Sequence, residues 1–192
     1  MTATEIKKVA LSLFAEKGYE ETTLGEIARE VGIKTPSIYA HFASKEEIFW
    51  CLVEEQTALY VQHLEASFAH VEGADIETQL YSLLREMTSF VVQNSETASL
   101  YKRIWMHPPL QFKDRIRRVV TEVDRMICSR LAAILAQGVE QNIIRDQNLE
   151  ELTQTYLCLV DGYTFGLMFY DDDSYTQKLD GIWRVFWQGL KR

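Results

Sequence analysis

Residues Glu21 to Phe49 read ETTLGEIAREVGIKTPSIYAHFASKEEIF. Leu24, Ile27, Ala28 and Val31 recur at helical spacing. Thr23 followed three residues later by Glu26 fits a capping box, which starts a helix there. Gly32 stops it, because glycine adopts the left-handed backbone that a helix end needs. Thr35 before Pro36 restarts a helix, since proline at the first helical position loses no useful N–H. Ile38 and Phe42, four apart, face inward together. Ser44 with Glu47 forms a second capping box and opens a longer helix. Helix, short glycine-containing turn, helix is a supersecondary unit that reads DNA.

Upstream, a first helix is expected from near Thr2, with Glu5 three residues on, to Gly18. Its apolar stripe is Ile6, Val9, Ala10, Leu13 and Phe14. Residues 1–49 thus read as a three-helix, helix-turn-helix DNA-binding domain. Downstream the helical period continues. Helices are expected over Lys45 to His70, Ile76 to Asn94, Glu96 to Met106 and Phe112 to Val139. His107-Pro108-Pro109 separates the last two. Asn148 with Glu151 caps a helix that runs to about Tyr170. Ser174 with Gln177 caps the final one, which ends near Leu190. Asp171–Asp173 reads as a polar connector between them. No period-2 run or hairpin dipeptide signals a strand. The expected fold is all-α with about nine helices.

The last two helices are apolar on more than one face, a pattern of helices that are central in the fold or bury a second face against another chain, with association with a second copy the favoured reading. Leu159, Gly162, Gly166, Trp183, Phe186 and Trp187 are the candidate dimer-interface residues. Gly162 and Gly166, four apart, leave a flat patch for a close helix. Two such helix pairs make a four-helix bundle about a two-fold axis.

The 28 acidic residues outnumber the 20 Lys and Arg, for a net charge of −8. That balance argues against general nucleic-acid binding but leaves room for a local reader. Within residues 22–45, Arg29, Lys34 and Lys45 nearly cancel Glu26 and Glu30. The polar groups around the second helix are Lys34, Thr35, Ser37, Tyr39 and His41. With Lys45 they offer hydroxyls, an imidazole and ammoniums of the kind that anchor phosphates and touch base edges. No apolar run approaches the ~18 residues of a membrane span, and no secretory signal is read. A cytoplasmic protein is expected. Cys51, Cys128 and Cys158 are far apart and read as buried, reduced thiols. The four histidines lack paired ligand spacing, and no Cys-x-x-Cys, calcium loop or Gly-x-Ser-x-Gly occurs. No metal, cofactor or catalytic site is therefore expected.

The segment TTLGEIAREVGIKTPSIYAHFASKEEI resembles the N-terminal domain of the tetracycline-repressor-like (TetR) family of bacterial transcriptional regulators. The residues that carry the resemblance are Ala15, Gly18, Thr22, Thr23, Ile27, Ala28, Gly32, Ile38, Tyr39, His41, Phe42, Ser44, Lys45, Glu46 and Glu47. It implies a homodimer on a pseudo-palindromic double-stranded DNA operator, usually a repressor, released by a small-molecule inducer. Residues 50–192 would then be a helical ligand-binding and dimerisation domain. By motif position, Thr23, Thr35, Ser37, Tyr39, His41 and Lys45 inherit DNA-contacting roles. The chain departs from the family at Gly25, where a basic residue is frequent, and at Ala40 and Ala43.

The resemblance places an inducer pocket among the middle helices. Met87, Phe90, Tyr101, Trp105, His107, Met126, Tyr156 and Tyr163 are its candidates, because methionine and polar-tipped aromatics build adaptable apolar pockets. The same residues also suit plain core. Lys102, Arg103, Lys113, Arg115, Arg117 and Arg118 flank the Pro-Pro break. They read as a solvated face paired with Asp114 and Glu122, with an entrance for an anionic effector as the sharper alternative. A second reading keeps DNA binding and gives the C-terminal domain a protein partner.

Overall fold

The computed structural model describes residues 2–170 and 177–192. Asp171–Asp173, read as a connector, and Ser174, read as a helix cap, lie outside the described residues. Among the described residues there are nine α-helices and no extended strand pairing beyond one isolated bridge, Ile144 to Lys191. The chain is all-α. In chain order the helices are α1 (Ala3–Lys17), α2 (Leu24–Val31), α3 (Thr35–Ile38), α4 (Lys45–Val71) and α5 (Ile76–Gln93). They continue with α6 (Ser95–Met106), α7 (Lys113–Glu140), α8 (Leu149–Phe169) and α9 (Leu179–Leu190), and a 3-10 turn over Leu110–Phe112 precedes α7.

The helices fall into two packed units. The first comprises Met1–Val61 and Asn94–Arg117, and the second Gln62–Gln93 and Arg118–Arg192. Packing groups α6 and the Pro-Pro corner with the helix-turn-helix segment. α4 is continuous from Lys45 to Val71 and belongs to both units.

In the first unit, capping explains most helix ends. The Thr2 N–H donates to Glu5 Oε2 at 2.8 Å. Thr23 closes the expected box with Glu26. Gly32 takes the left-handed conformation, φ 79° and ψ 31°, which a Cβ would strain. The second box is only half as read. Ser44 Oγ accepts from the Glu47 N–H at 3.1 Å, but the Glu47 carboxylate reaches one residue further back, to the Ala43 N–H.

The core of this unit is apolar and aromatic. Ile6, Phe14, Ile27, Ile38 and Ile48 are fully or almost fully buried. Burying each such side chain contributes roughly 1.5–3 kcal/mol. Around Phe49 lie the rings of Phe14, Tyr19, Trp50 and Phe112, with centroids 4.9 to 5.7 Å away. Phe112 stacks on Phe49 at 5.3 Å, so the 3-10 turn is pinned to the start of α4. α6 is tied to α4 by Thr97 Oγ1 to Gln56 Oε1 at 2.6 Å and by the Tyr101 and Thr57 hydroxyls at 2.8 Å.

In the second unit, α5 packs on α8. Leu80, Leu83, Leu84 and Tyr156 are completely buried. The Tyr156 hydroxyl donates to the Leu80 carbonyl at 2.7 Å. Asn148 Oδ1 accepts from the Glu150 and Glu151 N–H groups, so α8 begins as expected. The C-terminus folds back on the α7–α8 connection through Arg145 N–H to Leu190 O and Arg192 N–H to Ile143 O, each at 3.0 Å.

Candidate nucleic-acid interface

α3 is only four residues long because glycine and extended Lys34 precede it and its helical hydrogen bonding stops early. The helix that restarts at Thr35-Pro36 is thus a single helical turn followed by a short tail. Ala40 N–H bonds Ser37 O, and His41 N–H and Phe42 N–H both bond Ile38 O. Lys34, not Thr35, is the N-cap, and Pro36 occupies the second helical position. Ile38 is completely buried and Phe42 nearly so. These two anchors fix which way the element faces.

The outward side carries Lys34, Ser37, Tyr39 and His41, all exposed. Tyr39 is 57% exposed, which rules it out as packing within this unit. Thr35 is half-buried. A Cβ on Gly25 would lie 3.8 Å from Thr23 Oγ1 and 3.9 Å from Thr35 Oγ1. The backbone of α2 at Gly25 therefore brings Thr23 and Thr35 to one surface. Thr23 is exposed, but its hydroxyl is already engaged by the Glu26 N–H and carboxylate at 3.2 and 3.0 Å. Its side chain caps α2 and can bond a phosphate only by turning its O–H away from the Glu26 carboxylate to donate to it.

Lys45 differs from its sequence reading. Its ammonium donates to the carbonyls of Tyr19 and Thr22 at 2.7 and 2.8 Å and approaches that of Glu20 at 3.4 Å. It also sits 4.2 Å from the centre of the Tyr19 ring. Three N–H donors meet three carbonyls, so the charge serves the connection between α1 and α2. Burial lowers its pKa, with Glu20 and Glu26 pulling the other way. Thr22, fully buried, completes this knot by donating to Gly18 O at 2.8 Å. Neither contact has a signal in local spacing, because Lys45 meets residues 23 to 26 positions away.

Glu26 joins the same corner. It accepts from Lys17 Nζ at 2.8 Å and from the Thr23 N–H at 3.0 Å. The Lys17 bond, then those from Thr23, hold its carboxyl down at about 2. Arg29 pairs with its neighbour Glu30 at 3.2 Å. Of the charges expected to cancel within residues 22–45, Arg29 and Glu30 pair with each other, whereas Glu26 is held by Lys17 from outside the segment.

Of the basic groups around the Pro-Pro break, Lys102 is half-buried and the other five are exposed, and two of these have defined partners. Arg115 lies 3.8 Å over the Trp50 ring and bonds Glu54 Oε1 at 3.0 Å, so the expected pairing with Asp114 and Glu122 gives way to partners on α4. Arg103 donates from Nε to Ala15 O at 2.7 Å and from Nη2 to Glu16 O, at the end of α1.

The eight candidate pocket residues divide between the units. Tyr101, Trp105 and His107 belong to the first, and Met87, Phe90, Met126, Tyr156 and Tyr163 to the second. Met87, Phe90, Tyr156 and Tyr163 are buried and Met126 half-buried, while Trp105 is 57% exposed. Burial alone raises the Tyr156 pKa. Its hydroxyl is spent on Leu80, which makes it a core residue. His107 lines a cleft in the first unit.

Of the candidate dimer residues, Trp183 and Trp187 stack on each other at 5.8 Å and are buried inside the second unit, as is Gly166. They are not on the chain's surface. Leu159 and Phe186 are half-buried, and Gly162 is exposed with open space where a Cβ would be. The apolar side chains that α8 and α9 do present include Phe165, Phe169 and Val185, the last 73% exposed. Cys158, read as buried, is exposed, and Cys51 and Cys128 are half-buried.

Among the described residues no helix is long and apolar enough to cross a membrane, and no three metal-ligating side chains gather. Residues 6–50 match the family model described as bacterial regulatory proteins, tetR family. The HTH-type transcriptional regulator AcrR of Shigella flexneri is 28% identical over 177 residues, covering 87% of this chain and 76% of the relative. A transcriptional regulator from Saccharomonospora viridis, solved in complex with choline, superposes with a TM-score of 0.78 at 21% identity, over 98% of this chain and 97% of that one. FadR from Bacillus subtilis, solved in complex with stearoyl-CoA, gives 0.72 at 18% identity, over 96% and 97%.

Proposed function

We propose that this chain, a DNA-binding transcriptional regulator of the TetR family by its domain at residues 6–50, is a repressor that binds a pseudo-palindromic operator as a homodimer. A small molecule releases it. The observation that carries the reading is the outward side of α3. Lys34, Ser37, Tyr39 and His41 stand exposed on an element whose inward side is locked by Ile38 and Phe42. Lys34 and the hydroxyls suit phosphates, and Tyr39 and His41 suit base edges and stacked sugar. Lys45 acts by holding the α1–α2 connection that sets the angle of α2 beneath this element.

Self-association is supported by Phe165, Phe169 and Val185, which are exposed apolar groups on α8 and α9 of one unit. Gly162, Gly181 and Gly189 leave open space beside them, so a second copy can come close. Two copies present two reading elements, and half-sites one turn apart require them roughly 34–36 Å apart. An effector acts only through its preference for the form that does not fit this spacing. α4 offers the path, because it runs unbroken through both units. Choline and stearoyl-CoA in the two solved relatives support a small-molecule effector as the class.

The test is a mobility-shift titration on a duplex that the protein itself selects from random sequence. The reading requires that Tyr39→Ala abolish the sequence-specific shift while the protein keeps its helical circular dichroism. A Tyr39→Ala protein that binds the selected duplex like wild type would sink it.

A further inference from the structure

The first unit contains a cleft of about 410 Å³ between the C-terminal ends of α1 and α6 and the Pro108–Phe112 corner. That volume falls in the range of small-molecule pockets, roughly 300–1,000 Å³. Its floor is Phe14, Leu100 and Ile104, all buried, and Leu110, 87% exposed, stands at its mouth.

The charges on its rim decide what the cleft accepts. Lys17 is neutralised by Glu26 at 2.8 Å. Arg103 is not neutralised, because its two bonds go to the uncharged carbonyls of Ala15 and Glu16. A guanidinium has five N–H donors, and these bonds use two. Its Nη1 lies 3.8 Å from where a Cβ on Gly18 would sit, and Gly18 lines the cleft. One uncommitted cationic edge thus reaches the Gly18 side of a cleft that Phe14, Leu100 and Ile104 also line. Glu20 and Glu21 also line the cleft and oppose any anion there, so a single carboxylate held directly on Arg103 is the most negative charge the cleft accepts.

We infer that this cleft is an effector site for a compact apolar monocarboxylate. The carboxylate meets the Nη1 edge of Arg103, and the apolar body lies on Phe14, Leu100 and Ile104 with Leu110 closing over it. The same guanidinium holds the end of α1 through Nε and Nη2, so a carboxylate drawn to Nη1 pulls on the group that ties α6 to α1. Weakened DNA binding follows from that displacement. The inference rests on the effector-released reading above but places this site within the DNA-reading unit itself.

The probes are phenylbutyrate, phenylbutanol and phenylbutylamine, which share a body and differ in the head group. Isothermal titration of the full chain without DNA measures binding. Two variants locate it: Arg103→Gln, which keeps a hydrogen-bonding side chain and removes the charge, and Leu110→Glu, which adds a carboxylate at an exposed position. The expected result is that the acid binds at least about tenfold tighter than the alcohol, that Arg103→Gln erases this preference, and that Leu110→Glu weakens the acid but not the amine. An alcohol that binds as well as the acid, acid binding unchanged in both variants, or no binding by any probe at millimolar concentration would overturn the inference. Because titration needs no DNA, absence of a selected duplex would count against the regulator reading alone. Loss of the DNA shift on adding phenylbutyrate to wild type but not to Arg103→Gln would link the two.

Discussion

Gly25 is the residue at which this copy of the reading unit is most open to change. It lies in the first turn of α2, is exposed, and a side chain there would meet only Thr23 and Thr35 hydroxyls at ordinary contact distance. Nothing steric requires glycine. Arginine at this position gains reach toward the phosphates beside α3. Gly25→Arg is expected to tighten DNA binding and to steepen the dependence of log affinity on log salt by about one unit. Titrations at several salt concentrations on one duplex check both. Lys45 makes the opposite point. Residue type and position suggest a phosphate contact, whereas the geometry spends its three donors on Tyr19, Glu20 and Thr22 carbonyls. Spacing along one helix cannot display a bond that closes a loop more than twenty residues away. The inward residues were legible from the sequence for the converse reason. Ile27, Ile38 and Phe42 follow helical periodicity, and burial follows that pattern directly.

At the scale of elements, caps and prolines placed most helix ends within a residue or two. The starts of α2, α4, α5 and α8 and the break after α6 were all readable. The 3-10 turn at Leu110–Phe112 was not, because a short apolar run after two prolines looks like the first turn of α7. Its significance lies in Phe112, buried against Phe49, Tyr19 and Trp50. Phe112→Ala is expected to cost about 3–5 kcal/mol of stability in urea unfolding. The corner between α1 and α2 gives a pH signature. The Glu26 carboxyl is held down to about 2 from an ordinary 4.5, first by Lys17 and then by Thr23. A depressed folded-state pKa stabilises above the unfolded value and is lost as pH falls toward the folded one. Wild type should therefore exceed Glu26→Gln in thermal stability near neutral pH. The gap should narrow between about pH 4.5 and 2. A gap independent of pH would show that Glu26 acts through shape and not charge.

For the whole molecule, an all-helical chain with a reading unit at its start was legible, because periodicity and capping are local. How the helices group was less so. α6 packs with the reading unit through Arg103, Thr97 and Tyr101, and the sequence gives no local sign of those long-range partners. The same limit explains Trp183 and Trp187. Two faces of α9 look apolar in sequence, and only packing separates the face buried within the chain from the one that carries Val185. If the latter joins two copies, Val185→Lys with Phe169→Ser should convert a dimer to a single chain in sedimentation velocity without loss of helix content.

The central claim is that two copies read DNA as a symmetric pair through the outward side of α3. Footprinting on the duplex selected from random sequence tests it most directly. Two inverted half-sites are expected, centred roughly 34–36 Å or a multiple of that apart, protected together and lost together in Tyr39→Ala. No enriched sequence, or a single unrepeated site protected at full strength by the Tyr39→Ala protein, would contradict it.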